Sequence, residues 1–262
     1  MSTLLQDIRY AVRTLLRQPG YTVIIIGMLG LGIAANTAIF SLFNGLFLRP
    51  LPFPESERLV NFDERAPRWE LEYTGNNYTD FHPWREENST FEGMAVWGDA
   101  AYNLSLEGVA ERVEGAVVTH DMAEVLGIRP ILGRDIAPED DVPGAPNVVL
   151  LGHELWQNRF GADPGMVGTT LRLDGEPYEV IGVLPEEALF VAEAEVWAPL
   201  RLDVEANPYS WYLTGVGRLK ADVTIEQAQQ DLERIHKNQI ETREVNEITF
   251  PTVEPVIERV LG

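Results

Sequence analysis

The four histidines, His82, His120, His153 and His236, are the first residues in this chain that could do chemistry. None stands at a spacing that gathers a metal ion. His153-Glu154 opens like the H-E-x-x-H zinc motif, which sets two imidazoles one helical turn apart, but position 157 is Gln. There is no cysteine, so a thiolate nucleophile, a thiolate metal site and a disulfide framework are all excluded. The densest carboxylate group is Asp135 with Glu139, Asp140 and Asp141. It lacks the alternating ligands and central glycine of a calcium loop and reads as a solvated acidic loop. No G-x-x-x-x-G-K-[ST] phosphate loop and no G-x-S-x-G nucleophile turn occurs. The sequence therefore offers no catalytic, cofactor-binding or metal-binding residue, and the chain is not expected to be an enzyme.

What the sequence does offer is an apolar span and a domain attached to it. Tyr21 to Leu48 holds no charged side chain. About 20 apolar residues suffice to cross a hydrocarbon layer about 30 Å thick. A transmembrane helix is expected over 19–48. Arg9, Arg13 and Arg17 precede it against Asp7, which places the N-terminus in the cytoplasm and the remainder outside. A cleaved signal peptide would have a shorter apolar core followed by a small-residue cleavage site, and Leu46-Phe47-Leu48-Arg49-Pro50 supplies none.

Within the span, Gly30, Ala34 and Ala38 recur every four residues, the small-residue pattern that lets helices approach closely. Asn36 adds a polar group that in lipid seeks a partner on another helix. These four residues are the expected packing face. Residues 1–18 read as an amphipathic helix at the cytoplasmic interface, with its three arginines on one face. Pro50, Pro52 and Pro54 alternate, which predicts an extended, semi-rigid strut over 49–57.

Net charge is −21 over 262 residues, and residues 1–48 carry +2, leaving −23 for everything beyond the span. So acidic a domain has no footprint for nucleic acid. From residue 58 onward short strands and short helices mix, which predicts an α+β domain. Strands are expected at 103–106, 112–118, 148–151 and 211–219. Thr169 to Leu173 and Tyr178 to Val183 are expected to form a hairpin around Asp174-Gly175, with a four-residue loop. Short helices are expected at 121–126 and 153–160, stopped by Gly127 and Gly161. Thr224 and Gln227 form a capping box ahead of a helix whose face is Ile225, Ala228, Leu232 and Ile235.

Leu31-Gly32-Ile33-Ala34-Ala35-Asn36-Thr37-Ala38-Ile39-Phe40-Ser41, followed by Leu48-Arg49-Pro50-Leu51-Pro52-Phe53-Pro54, resembles the first span of bacterial ABC-type permeases of the MacB and FtsX superfamily. Tyr78-Thr79-Asp80-Phe81, Leu126-Gly127-Ile128-Arg129-Pro130, Leu155-Trp156-Gln157-Asn158-Arg159-Phe160-Gly161, Leu173-Asp174-Gly175-Glu176-Pro177-Tyr178 and Gly217-Arg218-Leu219-Lys220 are similar to their periplasmic core domain, in the same order. The resemblance implies a two-lobed α+β periplasmic domain over 58–262, with an inserted lobe at roughly 108–204. It further implies three more spans beyond this chain and an inner-membrane location. The expected partners are other permease helices, from the rest of the permease or a second copy, and a cytoplasmic ATPase whose motion is passed outward. A solitary anchored binding or sensor domain and an anchored periplasmic enzyme remain the alternative readings.

Overall fold

The computed structural model describes residues 6, 10, 13, 16–47, 51–106, 109–191, 193–202, 212–243 and 249–256. The side chains at 21, 25, 35, 38–47 and 190 lie outside that description. Two compact units result, one up to Pro50 and one beginning at Leu51.

Helix α1, Pro19–Phe47, is the described element of the first unit; its 29 residues include no acidic group in the first turn and no basic group in the last. At 1.5 Å per residue it is about 43 Å long. Val23, Met28 and Leu31 are 70%, 72% and 75% exposed, so the unit covers little of its own apolar surface. Counted over the described residues alone, no helix is long and apolar enough to cross a membrane. The expected interfacial helix over 1–18 lies largely outside the described residues.

In the second unit, mixed α and β structure surrounds a single sheet. Its strands are β1 (Leu59–Arg65), β2 (Phe91–Leu106), β3 (Val109–Val118), β4 (Leu132–Gly133), β5 (Val148–Leu151), β6 (Thr170–Leu173), β7 (Glu176–Val183), β8 (Val196–Pro199), β9 (Thr214–Leu219) and β10 (Phe250–Pro255). The order is β10-β1-β9-β2-β3-β8-β5-β7-β4, with β6 pairing β2 and β7. The β3–β8 and β5–β7 pairs are parallel and the remainder antiparallel. Helices α2 (Tyr78–Glu87), α3 (Met122–Leu126), α4 (His153–Phe160) and α5 (Ile225–Arg243) complete the unit.

Apolar alternation and local caps explain most of these elements. Thr224 N–H donates to Gln227 Oε1 at 2.9 Å and Gln227 N–H to Thr224 Oγ1 at 3.3 Å, the reciprocal capping box expected ahead of α5. Ala228, Leu232 and Ile235 are fully buried along its inner face. Gly127 and Gly161 end α3 and α4 in the left-handed conformation. The β6–β7 hairpin differs from expectation, for its loop is two residues. Asp174 and Gly175 both take positive φ, while Glu176 and Pro177 already pair with Leu173 and Arg172. Two positive-φ residues suit a tight turn whose twist matches the strands. Pro177 sits opposite Arg172 at the position where an antiparallel ladder needs no N–H.

Three buried clusters fill the unit. One is drawn from both ends of the domain, with Val60, Phe62, Phe81, Trp84, Leu219 and Leu232. A second comes wholly from the middle, with Leu104, Leu151, Leu171, Leu173, Val180 and Val196. The third joins them and holds Phe53, Leu59, Met122, Leu126, Trp197, Val216 and Val256. β2 and β3 form a long hairpin. It pairs continuously from Trp97↔Val118 to Leu106↔Val109.

Candidate functional site

The segment that brings the chain into the domain is not the extended strut expected from its prolines. Leu51 to Glu55 bends and turns, and Ser56–Arg58 is a single 3-10 turn. Glu55 takes φ 48°, which reverses the chain. Proline fixes its own φ and restrains the residue before it, but leaves its own ψ and the residue after the last proline, Glu55, free, so the run need not stay extended once a neighbour finds a tertiary site. Phe53 is that neighbour: it is 5% exposed and belongs to the joining cluster. Pro52 and Pro54 stay exposed, and Pro50 lies outside the described residues.

Arg218 holds this segment. It sits on β9, opposite Leu59 of β1 and Gly93 of β2. Its Nη1 donates to Pro54 O at 3.0 Å and Glu55 O at 3.3 Å, and its Nε donates to Val125 O of α3 at 2.9 Å. The side chain is 8% exposed, and burial pushes its pKa down from the usual guanidinium value, with Arg58 adding to the effect. A guanidinium keeps its proton at such a site, so the carbonyls face a fixed cation. Arg58 completes the joint. Its Nε donates to Leu219 O at 2.8 Å, and its two other nitrogens pair with Glu55 and Glu92. Those carboxylates raise the Arg58 pKa.

Val256, just past β10, is 2% exposed and lies in the same cluster as Phe53. The first and last buried apolar residues described in this unit thus share one patch of core. Sequence reasoning named the prolines here but missed Arg218 and Phe53. The motif Gly217-Arg218-Leu219-Lys220 was the available signal, since an arginine amid apolar strand residues must find partners when buried.

Beside the joint, a cleft of about 250 Å³ is lined by residues that include Arg85, Glu92, His120, Asp121, Glu124 and Arg218. Most of these charges already have partners. Arg85 Nη2 is 2.9 Å from Asp121 Oδ2, Glu92 pairs with Arg58, and His120 Nδ1 is 3.3 Å from Asp141 Oδ2. The other histidines lie apart. His82 is exposed beside Tyr78, His153 contacts Gln157, and His236 is buried near Trp84 and Phe250. Among the described residues no group of His, Asp and Glu could hold a metal ion.

The acidic cluster is a correction to the solvated-loop reading. Asp140 is 7% exposed, paired with Arg134 at 2.5 Å, and accepts from Ala137 N–H at 2.9 Å. Although burial pushes its pKa up, these partners bring it below the usual carboxylate value. Asp141 accepts from His120 N–H at 3.0 Å and Arg201 N–H at 2.7 Å. Both carboxylates staple loops together.

Of the expected helix-packing residues, Gly30, Ala34 and Asn36 are exposed on α1, and nothing lies within 4 Å of where a Gly30 Cβ would be. The side chain of Ala38 lies outside the described residues.

The second unit is thus a mixed α+β domain in which Phe53 and Val256 share one patch of core. The family model described as MacB-like periplasmic core domain matches residues 22–235, and the chain belongs to that family. Its fold is also similar to three solved structures. The periplasmic region of MacB from Actinobacillus actinomycetemcomitans gives a TM-score of 0.58 at 15% identity, covering 79% of this chain and 93% of that one. The extracellular domain of the noncanonic ABC-type transporter YknZ from Gram-positive bacteria gives 0.55 at 13% identity, covering 74% and 98%. A domain assigned to a permease of Porphyromonas gingivalis gives 0.56 at 14% identity, covering 78% and 92%. Comparison with curated proteins finds no match.

Proposed function

We propose that this chain is the N-terminal module of an ABC-transporter-type permease in a bacterial inner membrane, passing motion driven by a cytoplasmic ATPase to a domain outside. Membership of the MacB-like family supports this reading. So does α1, whose exposed apolar side chains Val23, Met28 and Leu31 need lipid or other helices to cover them. In this reading the N-terminus is cytoplasmic and the acidic domain periplasmic. Gly30, Ala34, Asn36 and Ala38 would pack against other permease helices.

The observation that carries the mechanism is the grip of Arg218 and the Phe53 pocket on the inbound segment. A flexible connection would absorb a displacement of the span. Here the segment is fixed to the core within a few residues of Pro50, so a displacement there loads β9 and α3 directly. Replacing Pro52 and Pro54 by Gly and Phe53 by Ser in the complete permease should leave ATP hydrolysis intact and abolish transport. Unchanged transport would refute the mechanism. Cysteines placed at Gly30, Ala34 or Ala38, in a chain with none of its own, should crosslink to specific helices; random or absent crosslinks would point to a lone anchor.

A further inference from the structure

Buried polar atoms in folded proteins are hydrogen-bonded almost without exception. Among the described residues, one arginine and one carboxylate each keep a buried atom with no hydrogen-bond partner, Nη2 of Arg218 and Oδ1 of Asp121. Both residues line the same cleft, the one of about 250 Å³ beside the joint. Arg218, which is 8% exposed, directs Nε to the carbonyl of Val125 and Nη1 to those of Pro54 and Glu55. Asp121 faces Arg85 Nη2 at 2.9 Å through Oδ2. One charged donor and one charged acceptor are therefore left over in a single cleft. Leaving either unpaired is unfavourable, and a molecule that satisfies both removes the two penalties together.

Charge decides what that molecule is. The cleft sets Arg85, Arg218 and His120 against Glu92, Asp121 and Glu124. His120 lies against Asp141, which raises its pKa, so this lining mixes both signs in similar amounts. A simple anion would satisfy Arg218 but would meet three carboxylates here and approach through the field of a domain that carries −23. A simple cation would be drawn in by that field and would then leave Arg218 Nη2 as it is. A ligand with one charge of each sign and no net charge satisfies both atoms and is repelled by neither.

Size narrows the class further. The cleft lies below the volume of about 300–1,000 Å³ that drug-sized ligands occupy. A peptide carries its terminal charges at opposite ends, whereas a free α-amino acid carries both on one carbon. We propose that this cleft binds one free α-amino acid as its zwitterion, with the carboxylate on Arg218 Nη2 and the ammonium on Asp121 Oδ1. Charge-assisted hydrogen bonds of this kind are the strong ones. Glu124, exposed on α3, adds negative potential for the ammonium at the mouth of the cleft. Because Arg218 also holds Pro54 and Glu55, the bound carboxylate is joined through one side chain to the segment that enters the domain.

Calorimetric titration of the full chain in detergent with each of the common L-amino acids tests this, beside acetate, methylamine and inorganic phosphate. At least one amino acid should bind with one-to-one stoichiometry and raise the melting temperature. Its N-acetyl and methyl-ester forms, which lack the ammonium and the carboxylate, should each bind about tenfold or more weakly. Asp121→Asn should weaken binding by a similar factor, with circular dichroism to confirm the fold. Glu124→Lys changes only an exposed side chain, so it keeps the test open should Asp121→Asn not fold; its ammonium repels that of the ligand and should also weaken binding. If none of the amino acids binds, the proposal is overturned. The same holds if acetate or phosphate binds as tightly as the best amino acid, which would make the cleft an anion site, or if binding is indifferent to both substitutions. Binding is read without transport, so this outcome is independent of the permease reading.

Discussion

The guanidinium of Arg218 donates to the carbonyl of Pro54 across 3.0 Å, tying a central strand to the segment that brings the chain into the domain. Replacing Arg218 by Met removes the donor to three carbonyls, those of Pro54, Glu55 and Val125. Leaving buried acceptors unpaired around a lost cation should cost about 2–4 kcal/mol of stability. Arg218→Lys keeps the charge but not the fork and should fall between. Urea denaturation of the three proteins checks the order; equal midpoints would show that the grip carries no energy.

Gly127 offers a finer probe of the same joint. Its φ is +74°, and a Cβ there would lie 3.2 Å from Arg218 Nη2 and 3.4 Å from the Pro54 ring. Gly144 has φ +84° with nothing within 4 Å. Both Ala substitutions pay the left-handed backbone cost of about 1–2 kcal/mol. Only Gly127→Ala also crowds the joint, so it should cost about 1 kcal/mol more. Thermal melting of the two variants gives the difference directly, and a difference of zero or opposite sign would mean that the Arg218–Pro54 contact is loose.

Local signals were legible in the sequence, and tertiary ones were not. The Thr224–Gln227 box, the stops at Gly127 and Gly161 and the apolar run at 148–151 each depend on neighbours in sequence, and each stands in the structure as read. β1 was missed, because Leu59-Val-Asn-Phe-Asp-Glu-Arg65 buries its Asn, Asp and Glu as well as its apolar residues, which erases the alternation that marks a strand. β2 was recognised only at its end, since Gly93, Gly98 and paired alanines dilute its pattern. The proline segment was read as extended because proline restricts φ, while its real conformation is set by Phe53 and Arg218, the latter 165 positions after Phe53 and so invisible to any local rule. Asp140 was read as solvated for the same reason, its Arg134 partner being unmarked by spacing.

His120 should make the domain sensitive to pH. Its hydrogen bond to Asp141 is the largest influence and raises its pKa above the usual histidine value; burial and Arg85 oppose, and Asp121 assists. Asp135 also lies within its field. A raised folded-state pKa contributes stability that is fully present below about pH 6.5 and is lost as pH rises through the folded value. Stability should therefore decline as pH rises above about 6.5, and His120→Gln should flatten that slope. Denaturation midpoints across this range decide it; an unaltered slope in the variant assigns the effect to another group.

Gln229 closes the outer edge of the sheet. Its side-chain amide accepts from Val253 N–H at 2.8 Å and donates to Pro251 O at 2.8 Å, so one residue of α5 occupies the place of a further strand beside β10. Pro251 and Pro255 lack N–H groups, which leaves the edge with few other donors. Replacing Gln229 by Met strips both of these hydrogen bonds, and a third to Glu233 Oε1, without shortening the side chain, at an expected cost of about 1–3 kcal/mol. It also frees Val253 N–H and Pro251 O for another chain. The variant should form strand-paired aggregates on prolonged incubation, detected by light scattering and an amyloid dye, and Val253→Pro added to it should suppress them by removing the freed donor. A variant that loses stability but stays dispersed would show that the prolines alone protect the edge.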